Sequence, residues 1–357
     1  MGIMDKLMKA GSVKGAGILS ESVFFTEKDS TPTHIPILNI ALSGSLTGGL
    51  ESGLTTVAGP SKHFKSNIGL VLAKAYLDKY ADGICLFLDS EFGITKEYIA
   101  SVGIDPARVL HVPIEHIEMM KFDLVKRLDA VERGDHVVIL IDSIGNTSSK
   151  KELDDALDEK AVADMTRAKS LKSFFRIITP HLTTKDIPCI AINHTYQELA
   201  LFPRQIVGGG TGGTYSSNTI FIIGRQQEKD SAGEIEGWNF ILNVEKSRKV
   251  KEKSKLSFLV TYEGGIAKYS GMLELALESK HVVAPTKGWY QRMDPETGEA
   301  LTGKLRAKDL TTAEFWDPVL KDPVFQQFVE RKFKVSYNAM NQSEAAMPAL
   351  VGDVEED

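Results

Sequence analysis

Cysteine is almost absent from this chain of 357 residues, which contains only Cys85 and Cys189. Both lie inside apolar segments, ICLFLD and IPCIAIN, that have the pattern of buried strands. Two buried cysteines do not provide the disulfide framework of a small secreted protein. They favour free thiols in a reducing compartment.

Long apolar runs and a general basic excess are missing as well. No stretch of 18 or more apolar residues occurs, so no ordinary membrane-spanning helix is expected. The N-terminus lacks the apolar core of a signal peptide, and Lys6 stands where a myristoylation motif needs serine or threonine. The formal net charge of -6 at pH 7 excludes a chain that is basic throughout. We therefore expect a cytoplasmic protein with no membrane partner.

The charge that is present is unevenly distributed. The last five residues, 353–357, contain four carboxylates. In contrast, segment 244–255 (VEKSRKVKEKSK) has six basic residues and two acidic ones. Such a strip can bind an anionic partner, although a solvated strand edge has the same composition.

Hydrophobic periodicity divides the chain into four zones. Residues 1–35 form a short arm with an amphipathic helical start, IMDKLMKA, which has to pack on its own core or on a neighbouring subunit. Residues 36–268 alternate strand and helix patterns, which predicts an α/β domain with a mostly parallel sheet and later antiparallel strands at one edge. Residues 269–345 predict a small α+β module with a turn at DPETGE, and residues 346–357 an acidic, disordered tail.

Segment 55–70 (TTVAGPSKHFKSNIGL) is similar to a phosphate-binding loop with one altered position. Gly59, Lys65 and Ser66 have the spacing of the motif G-x-x-x-x-G-K-[ST]. A strand precedes the loop and a helix follows it, so backbone N–H groups and a helix N-terminus can bind phosphate oxygens. We expect Lys65 to contact the β- and γ-phosphates of ATP, and the Ser66 hydroxyl to bind Mg²⁺. A lysine-rich turn without a ligand remains the alternative for these three residues alone.

Phe64 occupies the position of the second glycine in this motif. Glycine normally lets the backbone approach the phosphates without a Cβ in the way. Phenylalanine can replace it, by this reasoning, only if its φ is ordinary and its ring points outward.

Polar side chains at three other strand ends favour an ATP-hydrolysing site. Asp142 ends VVILID, where a carboxylate can hold Mg²⁺ through its water shell. Glu91 follows ICLFLD and can orient or deprotonate the attacking water. Asn193 and His194 end a fourth strand and can sense the γ-phosphate. Each has an ordinary structural explanation alone, but parallel strands bring their carboxyl ends to one ligand-binding edge.

Further segments resemble, in the same order, motifs of the UvsX-type phage branch of the RecA family. They are DSEFGITKEY, IDSIGN, DMTRAKSLKS, IAINHTY, GGGTGG and NVEKSR, and the loop GPSKHFKSN has the phenylalanine of that branch. The resemblance extends over nearly the whole chain. It implies a RecA-like P-loop ATPase core and a DNA-dependent ATPase that forms helical filaments on single-stranded DNA and exchanges strands with a homologous duplex. A role in phage recombination, repair and DNA replication is implied, in the cytoplasm of a bacterial host. A recombination mediator and a single-strand-binding protein are the expected partners.

The resemblance also implies residue roles. Glu91 matches the catalytic base, Tyr98 the aromatic residue that stacks on adenine, and His194 the γ-phosphate sensor, which is usually glutamine in bacterial relatives. Lys246 and Arg248 match a basic pair that contacts the ATP of the neighbouring subunit. The catalytic set is therefore Glu91, Lys65 and His194, and the Mg²⁺ ligands are Ser66 and Asp142. The predicted ATP-binding residues are Gly59, Pro60, Ser61, Lys62, His63, Phe64, Lys65, Ser66, Asn67 and Tyr98.

Two segments match the DNA-binding loops of that family. Segment 195–213 combines aromatic, apolar and basic residues with a glycine-rich end, which suits a contorted single strand. Its candidates are Tyr196, Phe202, Arg204, Gly208, Gly209, Gly210, Thr211, Gly212 and Gly213, although the glycine cluster also fits a flexible hairpin turn.

The other DNA loop matches all or part of segment 147–169. The phosphate candidates there and just beyond are Arg167, Lys169 and Lys172. Apolar residues at helical spacing between them are predicted to be core: Val162, Met165, Ala168, Leu171 and Phe175.

Two other functions share some of these features. A ring-forming helicase or packaging motor with a RecA core would use the same ATPase residues. A non-catalytic DNA-binding regulator would retain only the nucleotide fold, and the intact Lys65, Ser66, Glu91 and Asp142 argue against it.

Overall fold

Helices and strands alternate through the first half of the chain, as the periodicity predicts. The computed structural model describes residues 2–13, 16–22, 29–159, 166–198, 203–229 and 232–336. The helices are α1 (Ile3–Ala10), α2 (Pro36–Ser43), α3 (Lys65–Lys79), α4 (Lys96–Ser101), α5 (Ile117–Ala130), α6 (Lys150–Leu157), α7 (Thr166–Thr184), α8 (Thr211–Ser216), α9 (Met272–Glu278), α10 (Ala313–Lys321) and α11 (Pro323–Phe333).

The strands follow the apolar segments identified in the sequence. They are β1 (Gly53–Gly59), β2 (Ile84–Asp89), β3 (Val109–Pro113), β4 (Val137–Asp142), β5 (Pro188–Gln197), β6 (Gln205–Val207), β7 (Ser217–Lys229), β8 (Ile235–Ser247), β9 (Lys255–Thr261), β10 (Gly265–Ile266), β11 (Val282–Thr286), β12 (Trp289–Arg292) and β13 (Leu305–Arg306). Predictions for Val162, Met165, Phe202 and the acidic tail concern residues outside the described ranges.

One large sheet carries the domain, with strand order β10-β9-β8-β7-β1-β5-β4-β2-β3 and β6 paired to β5. Adjacent strands in the part of the sheet with order β7-β1-β5-β4-β2-β3 run parallel. The pairs β7–β8, β8–β9 and β9–β10 are antiparallel. The predicted mostly parallel sheet with an antiparallel edge is therefore confirmed.

Helices cover both faces of the sheet, because its central strands alternate between two apolar cores. In β4, Val138 and Leu140 join the core under α2 and α3, whereas Ile139 and Ile141 join the core under α5 and α7. Both cysteines are buried and free, and burial raises the pKa of each thiol to about 12. The strands are thus held rigidly by packing on both sides, and so are their carboxyl ends.

The C-terminal module contains a small antiparallel sheet, β11-β12-β13, and helices α9 to α11. Its buried residues, including Trp316 and Phe325, belong to the same apolar core as α2 and α3. The turn predicted at DPETGE is confirmed, since the Asp294 carboxylate accepts hydrogen bonds from the N–H groups of Glu296 and Thr297. The division of the chain at residues 35, 268 and 345 remains a prediction.

The N-terminal helix α1 forms as predicted but exposes its apolar side chains. Ile3, Met4, Leu7 and Met8 are between 47% and 73% exposed, and no residue of α1 is buried. The arm is expected to pack either on its own core or on a neighbouring subunit. Helix α1 does not pack on the core of its own chain. Within the described ranges, no helix has both the length and the apolar character of a membrane span.

Candidate nucleotide-binding and catalytic site

The loop between β1 and α3 closes around the side chain of Lys65. Gly59 ends β1, and α3 begins at Lys65 itself. The buried ammonium of Lys65 donates to the Pro60 carbonyl oxygen at 2.8 Å. Burial lowers the pKa of Lys65, although the nearby Glu91 and Asp142 oppose this effect. A partly desolvated cation at a helix N-terminus is well suited to bind phosphate.

The prediction for Phe64 is wrong on both counts. Its φ is +60° and its ψ is 18°, which is the left-handed region that glycine favours. Its ring points inward and stacks on Phe240 of β8, with the ring centroids 5.0 Å apart. The loop thus keeps the backbone conformation of the glycine, and packing offsets a conformational cost of roughly 1–2 kcal/mol.

The four predicted strand ends lie together at one edge of the sheet. In the registered pairs, Gly59 is opposite His194, and Asp89 is opposite Asp142. Strand order β1-β5-β4-β2 then places Glu91, which follows β2, beside Asp142 and His194. The structure therefore brings the predicted catalytic and metal-binding residues into one site.

Glu91 is held by two partners. Its Oε1 accepts a hydrogen bond from the Ser143 hydroxyl at 2.5 Å and lies 2.8 Å from His194 Nε2. The hydrogen bond with His194 is the main reason that the pKa of Glu91 is lowered. The carboxylate is therefore ionised at neutral pH, as a general base requires. Ser143 carries no sequence signal of its own beyond its position directly after Asp142.

Asp89 is a second residue that the sequence interpretation missed. This buried carboxylate accepts hydrogen bonds from the N–H groups of Glu91 and Phe92 at 3.1 and 2.8 Å. Its other oxygen lies 3.1 Å from His111 Nε2. Asp89 therefore positions the turn that carries Glu91.

Asp142 and Ser66 are the predicted ligands of Mg²⁺. Asp142 is buried, and its Oδ1 has no hydrogen-bond partner. Burial raises the pKa of Asp142 to about 6, and the nearby Glu91 and Asp89 act in the same direction, whereas the Ser66 side chain opposes this rise. An orphaned carboxylate oxygen beside a hydroxyl fits Mg²⁺. Among the described residues, no group of three or more His, Cys, Asp or Glu side chains is arranged to hold a metal ion, so phosphate oxygens would have to complete the coordination.

The remaining nucleotide candidates lie around the loop and an adjoining cavity. The Tyr98 hydroxyl donates to Asn67 Oδ1 at 2.6 Å, which links α4 to α3. A cavity of about 400 Å³ lies beside both residues. Ser61 and Lys62 are exposed, and His63 Nδ1 lies 2.8 Å from the Ser61 carbonyl oxygen.

Lys246 and Arg248 do not approach the nucleotide loop of their own chain. Lys246 lies opposite Ile220 in β7, and its ammonium donates to the carbonyls of Thr214 and Tyr215 at 2.7 and 3.2 Å. These carbonyls precede the amino end of β7, whereas the loop follows the carboxyl end of the parallel strand β1. Burial and then Arg248 lower the pKa of Lys246. The ammonium therefore lies toward the opposite edge of the sheet.

The candidate residues of the first DNA loop differ in their surroundings. The Arg167 guanidinium donates to the carbonyls of Ile144, Gly145 and Thr147, so it supports the loop after β4. Lys169 and Lys172 are exposed on α7. Leu171 and Phe175 are buried as predicted, but Ala168 is exposed because it lies on the outer face of α7.

The glycine cluster is not a hairpin turn. The antiparallel pairing of β5 with β6 lies earlier, where Gln197 is opposite Gln205, and Tyr196 and Arg204 beside it are exposed. Gly208 N–H donates to the His194 carbonyl, and Asn193 donates to the Gly208 carbonyl. Gly209 and Gly210 have positive φ, and Thr211, Gly212 and Gly213 begin α8.

Gly212 shows why α8 needs a small residue. A Cβ there would lie 2.7 Å from the Lys172 backbone of α7. Through hydrogen bonds at its two ends, the segment from Gly208 to Tyr215 connects the backbone of His194 to the ammonium of Lys246.

A loop with the spacing of a phosphate-binding motif, followed along the same edge of a mostly parallel sheet by the carboxylates of Glu91 and Asp142, is the arrangement of a RecA-like P-loop fold. Residues 11–267 match the family model of the RecA N-terminal domain, and residues 269–329 match that of the C-terminal domain of the bacteriophage T4 recombination and repair protein. The chain belongs to the RecA family, and it is a recombination and repair protein of the UvsX type.

Individual relatives agree with this assignment. The recombination and repair protein of Enterobacteria phage T4 is 52% identical over 337 residues, which cover 93% of this chain and 86% of the relative. Protein RecA of Cytophaga hutchinsonii is 24% identical over 302 residues, which cover 83% of this chain and 79% of that protein. Protein RecA of Acinetobacter baylyi is also 24% identical, over 74% of this chain and 76% of its own. These findings do not support the alternative of a ring helicase or packaging motor.

Proposed function

We propose that this recombinase hydrolyses ATP with Mg²⁺ in response to single-stranded DNA, and that it uses this cycle in a filament that exchanges strands with a homologous duplex. The observation that carries the proposal is the convergence of Lys65, Glu91, Asp142 and His194 at one sheet edge. Four chemically different groups that serve phosphoryl transfer rarely meet without such a function.

Each residue has a distinct role in the proposed reaction. Glu91 orients a water molecule and accepts its proton, while Asp89 and Ser143 fix the position of its carboxylate. Lys65 stabilises the charge of the β- and γ-phosphates. Ser66 and Asp142 would hold Mg²⁺, and the bound ion would supply positive charge to the phosphate oxygens. His194 contacts the γ-phosphate. Its backbone carbonyl accepts a hydrogen bond from Gly208, so a shift of His194 would move the segment that begins at Gly208.

The proposed DNA surface combines the two segments next to this site. Lys169, Lys172 and Arg204 supply exposed cations for phosphates, and Tyr196 supplies an exposed aromatic ring for stacking on bases. Arg167 contributes indirectly in this arrangement, since its guanidinium supports the loop after β4. In this arrangement single-stranded DNA binds next to His194, which contacts the γ-phosphate, so bound DNA could change the rate of hydrolysis by moving His194.

The proposed self-assembly is head to tail. In one subunit the ATP loop and the Lys246–Arg248 pair lie toward opposite edges of the sheet, so both can function only if subunits stack in the same direction. The exposed apolar side of α1 suits a contact with the next subunit. Repetition of a heterologous contact that does not close gives a helical filament. A mediator protein and a single-strand-binding protein would assist its loading on DNA.

Lys65→Ala tests the proposed ATPase. Because the variant lacks the cation that contacts the phosphates, we expect no detectable ATP turnover with single-stranded DNA. Steady-state phosphate release with and without DNA measures the effect, and electron microscopy with DNA and ATP shows whether filaments form. Lys126→Ala, which removes an exposed lysine of α5, is the matched control. Turnover near the wild-type level in Lys65→Ala would refute the site, and closed rings would refute the filament.

Asp142→Asn tests the metal site through pH. The pKa of Asp142 is raised in the folded chain, so its neutral form stabilises the fold fully below the ordinary value of 3.8, and this stabilisation is lost as pH rises through about 6. At pH 7.5 and without metal, the variant should therefore have a higher unfolding midpoint than the wild type. Its free energy of unfolding should be larger by at most about 3 kcal/mol. At pH 4 the two midpoints should approach each other.

Added Mg²⁺ and ATP should reverse this order at pH 7.5, since they stabilise the wild type more than the variant. Ser66→Ala is the control, because it removes a metal-binding hydroxyl without removing the buried charge. It should lose the stabilisation by Mg²⁺ and ATP but gain none in their absence. Thermal unfolding that shows no dependence of the Asp142→Asn effect on pH would contradict the assignment.

A further inference from the structure

Phe64 borders the cavity next to the phosphate-binding loop, and its position is unusual for an aromatic residue. It lies directly before α3 with a left-handed backbone, where glycine would be free of strain. Its ring contacts Phe240 on one side and lies 6.1 Å from the ring of Phe258 behind it. The rest of the ring borders the cavity of about 400 Å³.

A strained residue that packing holds in place suggests a function for its side chain. Glycine would meet the requirements of the loop at lower conformational cost. The retained ring must therefore add something that glycine cannot, and its environment limits the choices to core packing and contact with whatever enters the cavity.

The lining of the cavity is mostly apolar. Val71, Val260 and Ile266 contribute apolar walls, while Asn67 and Tyr98 contribute polar groups at one side. Its volume falls in the range of small-molecule sites. Since Phe64 is followed by Lys65 and Ser66, a group in this cavity lies next to bound phosphates.

We propose that Phe64 is a specificity-determining residue whose ring forms a wall of the nucleobase pocket. The proposal rests on the proposed binding of ATP at this loop. One residue then connects the two halves of the nucleotide, since its backbone shapes the phosphate loop and its ring contacts the base. In a loop with glycine at this position, the base would lack that wall.

Phe64→Gly separates the two contributions, because glycine keeps the positive φ and removes only the ring. Titration calorimetry compares ATP with inorganic tripolyphosphate, which has no base. We expect ATP to bind about tenfold or more weakly, as for the loss of a base–aromatic contact, and tripolyphosphate to bind within about twofold of the wild type. The preference for ATP over UTP should also decrease.

Phe258→Leu is the matched control, since Phe258 is fully buried behind Phe64. It should lower the unfolding midpoint without changing the ratio of the ATP and tripolyphosphate affinities. If the glycine variant does not fold, Phe64→Leu tests the same ratio while keeping apolar bulk.

The possible outcomes distinguish the proposals. Equal weakening of both ligands would mean that the ring only braces the loop, and unchanged affinities for both ligands would mean that it only fills the core; each overturns the role in base recognition. A wild-type protein that binds neither ligand would instead refute the proposed ATP site.

Discussion

Glu91→Gln should lower DNA-stimulated ATP turnover by about 10²–10⁴-fold while ATP and single-stranded DNA still bind. Glutamine keeps the size of the side chain and can still accept the hydrogen bond that Ser143 donates to Glu91 at 2.5 Å. It cannot accept a proton from water at neutral pH. The expected loss is therefore in the chemical step. Single-turnover hydrolysis, together with equilibrium binding of ATP and DNA, measures the two parts separately.

Ser143→Ala is the matched control for this variant. It removes one hydrogen bond to the Glu91 carboxylate but leaves the base itself. A positioning residue should therefore cost much less turnover than the loss of the base. If Glu91→Gln weakens ATP binding as strongly as turnover, Glu91 is structural and the assignment of the base fails.

The sequence could predict the main features of this site because they depend on strand pattern alone. Continuous apolar strands that alternate with helices require a buried parallel sheet, and its carboxyl ends then share one edge. The strand pattern alone was therefore enough to place Glu91, Asp142 and His194 in one site with Lys65.

The features that were missed depend on contacts between distant segments. The ring of Phe64 turns inward because Phe240 and Phe258, from β8 and β9, provide its packing partners. Asp89 and Ser143 act through hydrogen bonds to Glu91, and no motif separates such residues from ordinary strand-end polar groups. Arg167 was selected for its charge, which gave no sign of its three backbone carbonyl partners.

The surroundings of Lys246 offer a structural basis for the proposed control of hydrolysis by DNA. Its ammonium is engaged by the carbonyls of Thr214 and Tyr215, at the end of the segment that starts beside His194. To reach the ATP of a neighbouring subunit, the ammonium has to leave these carbonyls. DNA bound to the segment from Gly208 to Gly213 could change their position, and we propose that this releases Lys246.

Simultaneous replacement of Lys246 and Arg248 by alanine should remove DNA-stimulated hydrolysis and leave ATP binding to the subunit nearly intact. The pair would supply positive charge to the transition state only when two subunits stack. Phosphate release with increasing single-stranded DNA measures the stimulation. If the pair instead belongs to a simple DNA-binding strip, the variant should bind DNA more weakly, and its salt slope should fall by roughly 0.7 for each lost phosphate contact. Lys253→Ala, in the same basic segment but exposed and paired with Glu245, is the control for general loss of charge.

Mixing two inactive variants tests whether Lys246 and Arg248 act on the neighbouring subunit. The Lys246→Ala/Arg248→Ala variant retains Glu91, and the Glu91→Gln variant retains the basic pair. In a mixed filament, an intact Glu91 site can face an intact pair across one interface. A random one-to-one filament should therefore restore up to about a quarter of the wild-type sites, because half have Glu91 and half of those face an intact pair. Co-filament formation has to be verified by labelling both variants, and each variant alone gives the baseline. If verified mixed filaments show no recovery at any ratio, the pair does not act across the interface, and its contribution lies within its own subunit.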